Sequence, residues 1–144
     1  MHLHQIDVTG YRLVGAITKE LGMDGPKHHA VVLGKNIFDG EVYIAELMRT
    51  GYQVSTYKDF HRRYAINGDI RLEANNGPLA PLEVAQRAIA ELQQGGTAYD
   101  LMLNNCESFV NRAMHGKSGS SQVVNTALGV AAIVGLFYVL KNSK

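Results

Sequence analysis

The chain has 144 residues, of which 46% are hydrophobic, and it contains one cysteine. Its 14 lysines and arginines nearly balance its 13 aspartates and glutamates, so there is no electrostatic basis for binding a nucleic acid. One cysteine excludes an intramolecular disulfide and a multi-cysteine zinc site, and it suits a reducing, cytoplasmic compartment. The length is enough for one domain with a real core.

Five short segments rich in aliphatic and aromatic residues predict β-strands. They are Tyr11–Ile17, His28–Leu33, Glu41–Met48, Tyr52–Tyr57 and Ile70–Ala74. The second segment is almost wholly apolar, which is typical of a central strand covered on both faces. The third and fourth flank a short turn at Arg49–Gly51, which predicts a hairpin.

Two amphipathic helices are predicted after these strands. Pro81 begins the first, and its buried stripe comprises Val84, Ala88, Ile89 and Leu92. The second starts near Cys106 and stops before Gly116. Strands followed by helices indicate an α+β fold, with a small and mostly antiparallel sheet.

Cys106 lies where a polar, turn-prone segment becomes the second helix. Asn104 or Asn105 can cap that helix, because a short amide side chain accepts from the free N–H groups of the first turn. The helix dipole at this position favours a thiolate over a thiol, so Cys106 is a candidate nucleophile. A lone cysteine is also often just a small buried hydrophobic residue, and its position alone does not decide between the two.

Two blocks around this chemistry resemble a known family. Asn104–Asn111 is similar to the Asn-Cys-Glu-His-Phe signature of the lecithin:retinol acyltransferase family, which includes the H-Ras-like suppressor phospholipases and acyltransferases. His28–Gly34 resembles the family's His-x-(Ala/Gly)-Ile-Tyr-(Val/Leu)-Gly strand and precedes the cysteine block, as in the family. The resemblance implies a circularly permuted papain-like fold for a catalytic domain over residues 1–116. Ser108 departs from the signature, because the family has histidine there.

The resemblance also suggests the partners of Cys106. It places the catalytic histidine six residues before Gly34, at His28, and neighbouring strand residues point to opposite faces, so only one of His28 and His29 can face Cys106. The family's second histidine is missing, and its place maps near Ala45 or Glu46. Of these two, only Glu46 can accept a hydrogen bond from an imidazole, as the third catalytic member. An exposed hairpin glutamate is an equal alternative.

The end of the chain has a different character. Residues 117–122 are rich in glycine and serine and predict a flexible linker. Val123–Leu140 contains no charged residue and would form a helix about 27 Å long, close to the ~30 Å hydrocarbon thickness of a bilayer. We therefore predict a hydrophobic membrane-anchor helix over residues 123–144, with a buried core helix as the alternative. Small residues every four positions could pair two copies of it into a homo-oligomer.

The resemblance implies a phospholipase A/acyltransferase. Cys106 would attack a glycerophospholipid ester in a membrane, with His28 as the base, and the acyl-cysteine would pass its acyl chain to water or an amine. This chemistry needs no cofactor and no metal. One alternative is a cysteine peptidase or isopeptidase of the permuted papain-like type. The other is a catalytically silent membrane-binding module, which the missing second histidine would favour.

Overall fold

Five antiparallel strands form one sheet in the computed structural model of the chain, which describes residues 7–94 and 105–115. In chain order the strands are β1 (Arg12–Ala16), β2 (Lys27–Lys35), β3 (Val42–Met48), β4 (Gly51–Thr56) and β5 (Arg71–Glu73). The helices are α1 (Tyr57–Tyr64), α2 (Pro81–Gln94) and α3 (Cys106–His115). The predicted α+β class and the antiparallel sheet are confirmed.

The strand order is β4-β3-β2-β1-β5, so β2 is the central strand, as predicted. Gly15 on β1 lies opposite His28, and Ala30 on β2 lies opposite Glu46 on β3. The pairing of β2 with β3 shifts register between Val32 and Gly34. Strands β3 and β4 form the predicted hairpin.

Both faces of the sheet are covered. Helices α2 and α3 pack on one face, where Val31 and Ala45 join Phe109 and Val110 in the larger core cluster. Helix α1 covers the opposite face, where Phe60 packs with side chains of β1, β2 and β3. Apolar residues on both faces of the central strands follow from this two-sided burial.

Helix α1 corrects one prediction from the sequence. The helices were expected to follow all of the strands, but α1 lies between β4 and β5. Thr56 caps it, since its side chain accepts from the N–H of Asp59 at 3.2 Å. Tyr57, Phe60 and Tyr64 recur at helical spacing and pack on the sheet, but the helix has only eight residues and the other five are charged or polar.

The predictions for the chain ends cannot be compared with this structure. The linker at 117–122 and the anchor helix at 123–144 lie outside the described residues. Within residues 7–94 and 105–115, none of the helices has the length and apolar character needed to cross a membrane.

Candidate active site

A reciprocal cap fixes the start of α3, where Cys106 is the first residue. Asn105 accepts through Oδ1 from the N–H of Ser108 at 2.9 Å, and the Asn105 N–H donates to Ser108 Oγ at 2.8 Å. The N–H groups of Asn105 and Ser108 are thereby satisfied, as in a capping box. The prediction of an asparagine cap is confirmed for Asn105. Ser108, which departs from the histidine of the family signature, is a structural part of this cap.

Cys106 lies beside β2 at the point where the pairing of β2 with β3 ends. Both backbone groups of Val32 form hydrogen bonds with Gly10 and Tyr11, which directly precede β1. Because successive residues of a strand direct their backbone groups to opposite edges, those of Lys27 and His29 point to the edge that faces β3. The last pair between the two strands is Ala30 with Glu46. The thiol fills the place beyond this pair: Sγ donates to the carbonyl oxygen of Lys27 at 3.8 Å and accepts from the N–H of His29.

His28 connects the thiol to a buried carboxylate. Its Nε2 lies 2.8 Å from Oε1 of Glu46, and its side chain also hydrogen-bonds that of Cys106. Because Nε2 is taken by Glu46, Nδ1 is the ring nitrogen left for the thiol. Residue exposure is 5% for His28, 0% for Glu46 and 7% for Cys106. The structure therefore brings together all three site residues expected from the sequence.

The electrostatics favour a charged thiolate–imidazolium pair. Burial opposes ionisation of Cys106, but hydrogen bonds from His28 and from the His29 N–H outweigh it, and the pKa of the thiol is lowered. Burial likewise opposes a charge on His28, but its hydrogen bonds to Cys106 and Glu46 prevail and raise its pKa. Each shift favours the charged form of one partner, which is the condition for a thiolate nucleophile near neutral pH.

Four hydrogen-bond donors hold Glu46 in its ionised form. Burial alone would raise the pKa of this carboxyl, but hydrogen bonds from His28, Arg63, Ser55 and Gln53 lower it to about 2. Oε1 faces His28, while Oε2 accepts from Arg63 at 2.6 Å, from Gln53 at 2.9 Å and from Ser55 Oγ. The alternative of an exposed hairpin glutamate does not fit this position.

His29 has a different environment from His28. Its Nδ1 accepts from Nη1 of Arg12 at 3.0 Å, and Arg12 also donates to Asn111 on α3. Burial and the charge of Arg12 lower the pKa of His29 to about 4, so this ring is neutral near pH 7. His29 contributes its backbone N–H to Cys106, whereas the His28 side chain makes the contact with the thiol.

Aromatic rings from α1 cover the His28 imidazole. The ring centroids of Phe60 and Tyr64 lie 5.8 Å and 5.1 Å from that of His28. Gly15, opposite His28 on β1, leaves the space for them, since a Cβ there would lie 2.8 Å from Cβ of Tyr64 and 3.1 Å from Phe60. The absence of a side chain at this position therefore sets how closely α1 approaches the base.

We expect Gly15→Ala to lower the free energy of unfolding by about 1–3 kcal/mol, because the added methyl must displace the α1 side chains. Chemical denaturation measures this loss. It should be accompanied by slower alkylation of Cys106, since Tyr64 contacts His28. Gly40→Ala is the control for the alkylation rate, because its Cβ meets nothing within 4 Å; its positive φ should lower stability, and alkylation should stay unchanged. Unchanged stability and alkylation in Gly15→Ala would contradict the steric account.

The described part of the chain contains no group of three or more histidine, cysteine, aspartate or glutamate side chains suited to hold a metal ion.

Comparison with protein families gives one match. A family model described as lecithin retinol acyltransferase matches residues 22–119, which include His28, Glu46 and Cys106. Neither the search of curated proteins nor the search of solved structures gave a match. Because the family model covers more than half of the sequence, the chain belongs to the lecithin retinol acyltransferase family, whose members are acyltransferases and hydrolases.

Proposed function

We propose that this protein is a thiol-dependent phospholipase A/acyltransferase that cleaves glycerophospholipid acyl esters through an acyl-cysteine intermediate. The observation that carries the proposal is the buried chain of hydrogen bonds from Cys106 through His28 to Glu46. Nucleophile, base and acceptor are in contact in that order, which is the arrangement of an activated nucleophile. Family membership supports acyl chemistry as its use.

In the first half of the reaction, Sγ of Cys106 attacks the ester carbonyl carbon and forms a carbon–sulfur bond. His28 holds the thiol proton as an imidazolium, with the charge stabilised by Glu46. Backbone N–H groups in the first turn of α3 stabilise the oxyanion. The carbon–oxygen bond then breaks, and His28 protonates the departing alkoxide, which leaves as a lysophospholipid.

In the second half, water or an amine attacks the thioester carbonyl. His28 removes a proton from this acceptor, the carbon–sulfur bond breaks, and the proton returns to Cys106. Water as acceptor releases a fatty acid, so the net reaction is hydrolysis. An amine acceptor gives an amide, so the net reaction is acyl transfer. The same residues serve both outcomes, and access of the acceptor decides between them.

The chain order of the site agrees with a circularly permuted papain-like domain, because the histidine strand precedes the cysteine helix. The partners we propose are a phospholipid membrane and its acyl chains, with the segment 123–144 as the anchor and as a contact between copies. An anchored domain on the cytoplasmic face would meet its substrate at high local concentration.

Two alternatives use the same geometry differently. A silent membrane-binding module was favoured by the missing second histidine, but Glu46 occupies the acceptor position, which removes that support. A cysteine peptidase or isopeptidase would use the same thiol and base on an amide bond. Substrate chemistry therefore has to be tested directly.

We expect the full-length chain to gain the mass of one fatty acyl group when it is incubated with phosphatidylcholine vesicles. Intact-protein mass spectrometry measures the gain, and Cys106→Ala is the control that should show none. If no adduct forms and no fatty acid is released, the phospholipase proposal fails. A thiol that still reacts fast with iodoacetamide would then favour the peptidase, and an unreactive thiol the silent module.

A further inference from the structure

Arg63 on α1 points to the active site, whereas the preceding residue, Arg62, faces solvent. The side chain of Arg63 is 27% exposed, against 75% for Arg62. Lys58, His61, Arg62 and Arg63 form a basic cluster in the sequence. Such a cluster usually forms a solvated surface, and Arg63 departs from that pattern. Its Nη2 reaches across to β3 and contacts Oε2 of Glu46 at 2.6 Å.

The guanidinium contacts Glu46 and the rings that pack on His28. Its carbon lies 5.1 Å from the ring centroid of Tyr64 and 5.8 Å from that of Phe60, and Nη1 lies 3.3 Å from Tyr64 Oη. The same two rings pack against the imidazole of His28. Arg63 thus contacts the carboxylate on one side and packs on the aromatic residues on the other.

A buried carboxylate needs this cation. Glu46 has no exposed surface, and an ionised carboxylate without a partner is costly to bury. His28 occupies Oε1 but is itself neutral in part of the catalytic cycle, so it cannot be the permanent counter-charge. Gln53 and Ser55 are neutral donors. Arg63 is the permanent cation among these four partners of Glu46, since a guanidinium stays protonated.

We propose, on the basis of the function proposed above, that Arg63 is a positioning residue that holds Oε2 of Glu46 so that Oε1 remains directed at His28. Where the family has a second histidine, this chain would then use a two-residue unit of carboxylate and guanidinium. The carboxylate accepts the imidazole N–H, and the guanidinium keeps the carboxylate charged and fixed. Neither residue touches the substrate.

The test is the pH dependence of Cys106 alkylation by iodoacetamide, which needs no lipid substrate. The groups that face His28 and Glu46 are Cys106 on α3 and Arg63 and Tyr64 on α1. We expect Arg63→Gln to move the alkylation profile upward by about one pH unit, because a Glu46 that is no longer fixed by the guanidinium stabilises the imidazolium less. This loss outweighs the repulsion between guanidinium and imidazolium that the substitution also removes, which alone would move the profile downward. Below the midpoint this is a roughly tenfold slower reaction.

Arg62→Gln is the matched control, because it removes the same group from the next residue and breaks only an exposed pair with Asp59. Its profile should coincide with that of the unaltered protein. Arg63→Lys keeps the charge without the planar fork and should restore part of the shift. If Arg63→Gln does not fold, Arg63→Lys decides alone: a smaller upward shift is expected, and a profile equal to the unaltered one overturns the proposal.

The outcomes separate this proposal from the proposed function. An unchanged profile in a folded Arg63→Gln overturns the positioning role and leaves the acyltransferase proposal intact. A shifted profile with no acyl adduct on phosphatidylcholine supports Arg63 and rejects the substrate. An ordinary thiol profile in the unaltered protein overturns both, because there is then no polarised His28 for Arg63 to support.

Discussion

Replacing His28 by glutamine should reduce the rate of Cys106 acylation by roughly 10⁴-fold or more, the loss that follows removal of a base from a catalytic unit of this kind. A glutamine amide can fill part of the space but cannot take the thiol proton or return it to a leaving group. Single-turnover acylation on phosphatidylcholine vesicles, followed by intact-protein mass, measures the loss. Alkylation of Cys106 near neutral pH should slow as well, because the thiolate loses its imidazolium partner.

The neighbouring residue supplies the control. His29→Gln makes the same chemical change one position along β2 and keeps an acceptor for Arg12 as well as the backbone N–H that reaches Cys106. We expect this variant to retain most of its activity. Equal losses in the two variants would mean that the effect comes from disturbing β2, and would end the assignment of His28 as the base.

Replacing Glu46 by glutamine should lower the acylation rate by about 10⁴-fold, the size seen when the acceptor behind a catalytic imidazole becomes an amide. The reason is the direction of the hydrogen bonds. Arg63, Gln53 and Ser55 all donate to Oε2, so the amide oxygen must face them and the amide NH₂ must face His28. Nε2 of His28 then has to accept, its proton moves to Nδ1, and Nδ1 can no longer take the thiol proton.

Single-turnover acylation and the thermal unfolding midpoint should be measured together for this variant. Glu91→Gln is the matched control, because the Glu91 carboxylate pairs with Arg112 between α2 and α3 and does not contact the site. It should lose stability without losing the chemistry. A folded Glu46→Gln protein that is acylated at the original rate would show that His28 needs no carboxylate acceptor.

Much of the fold could be predicted because the relevant signals are local. The apolar run at His28–Leu33 predicted a central strand, and Asn105 before Cys106 predicted a helix start; both are confirmed. Helix α1 was missed, because its apolar stripe is only Tyr57, Phe60 and Tyr64 within eight residues that are otherwise charged or polar. One local signal was available: Thr56 followed three residues later by Asp59 is a typical helix start.

The site residues, too, could be predicted only where a local sequence signal exists. Cys106 and His28 follow from motifs, and Glu46 follows from the place of the missing histidine. Arg63 could not be found in this way, since nothing near it in sequence distinguishes it from Arg62. Only the packing of α1 against β3 decides which of the two arginines points inward. The contact between Arg63 and Glu46 therefore depends on tertiary structure and has no signal in the local sequence.

The register shift between Val32 and Gly34 determines how a one-codon deletion in β2 would affect the site. Gly34 lies opposite Tyr43 and Ala30 lies opposite Glu46, so β2 contains one more residue than β3 between these pairs. Deleting Leu33 would place Val32 directly before Gly34, so Val32 would still pair with Ile44 and Ala30 would remain opposite Glu46. Deleting His29 would instead turn the His28 side chain to the other face of the sheet from Glu46. A gene for this domain can therefore lose one codon of β2 and keep the site, or lose another and separate two of its residues.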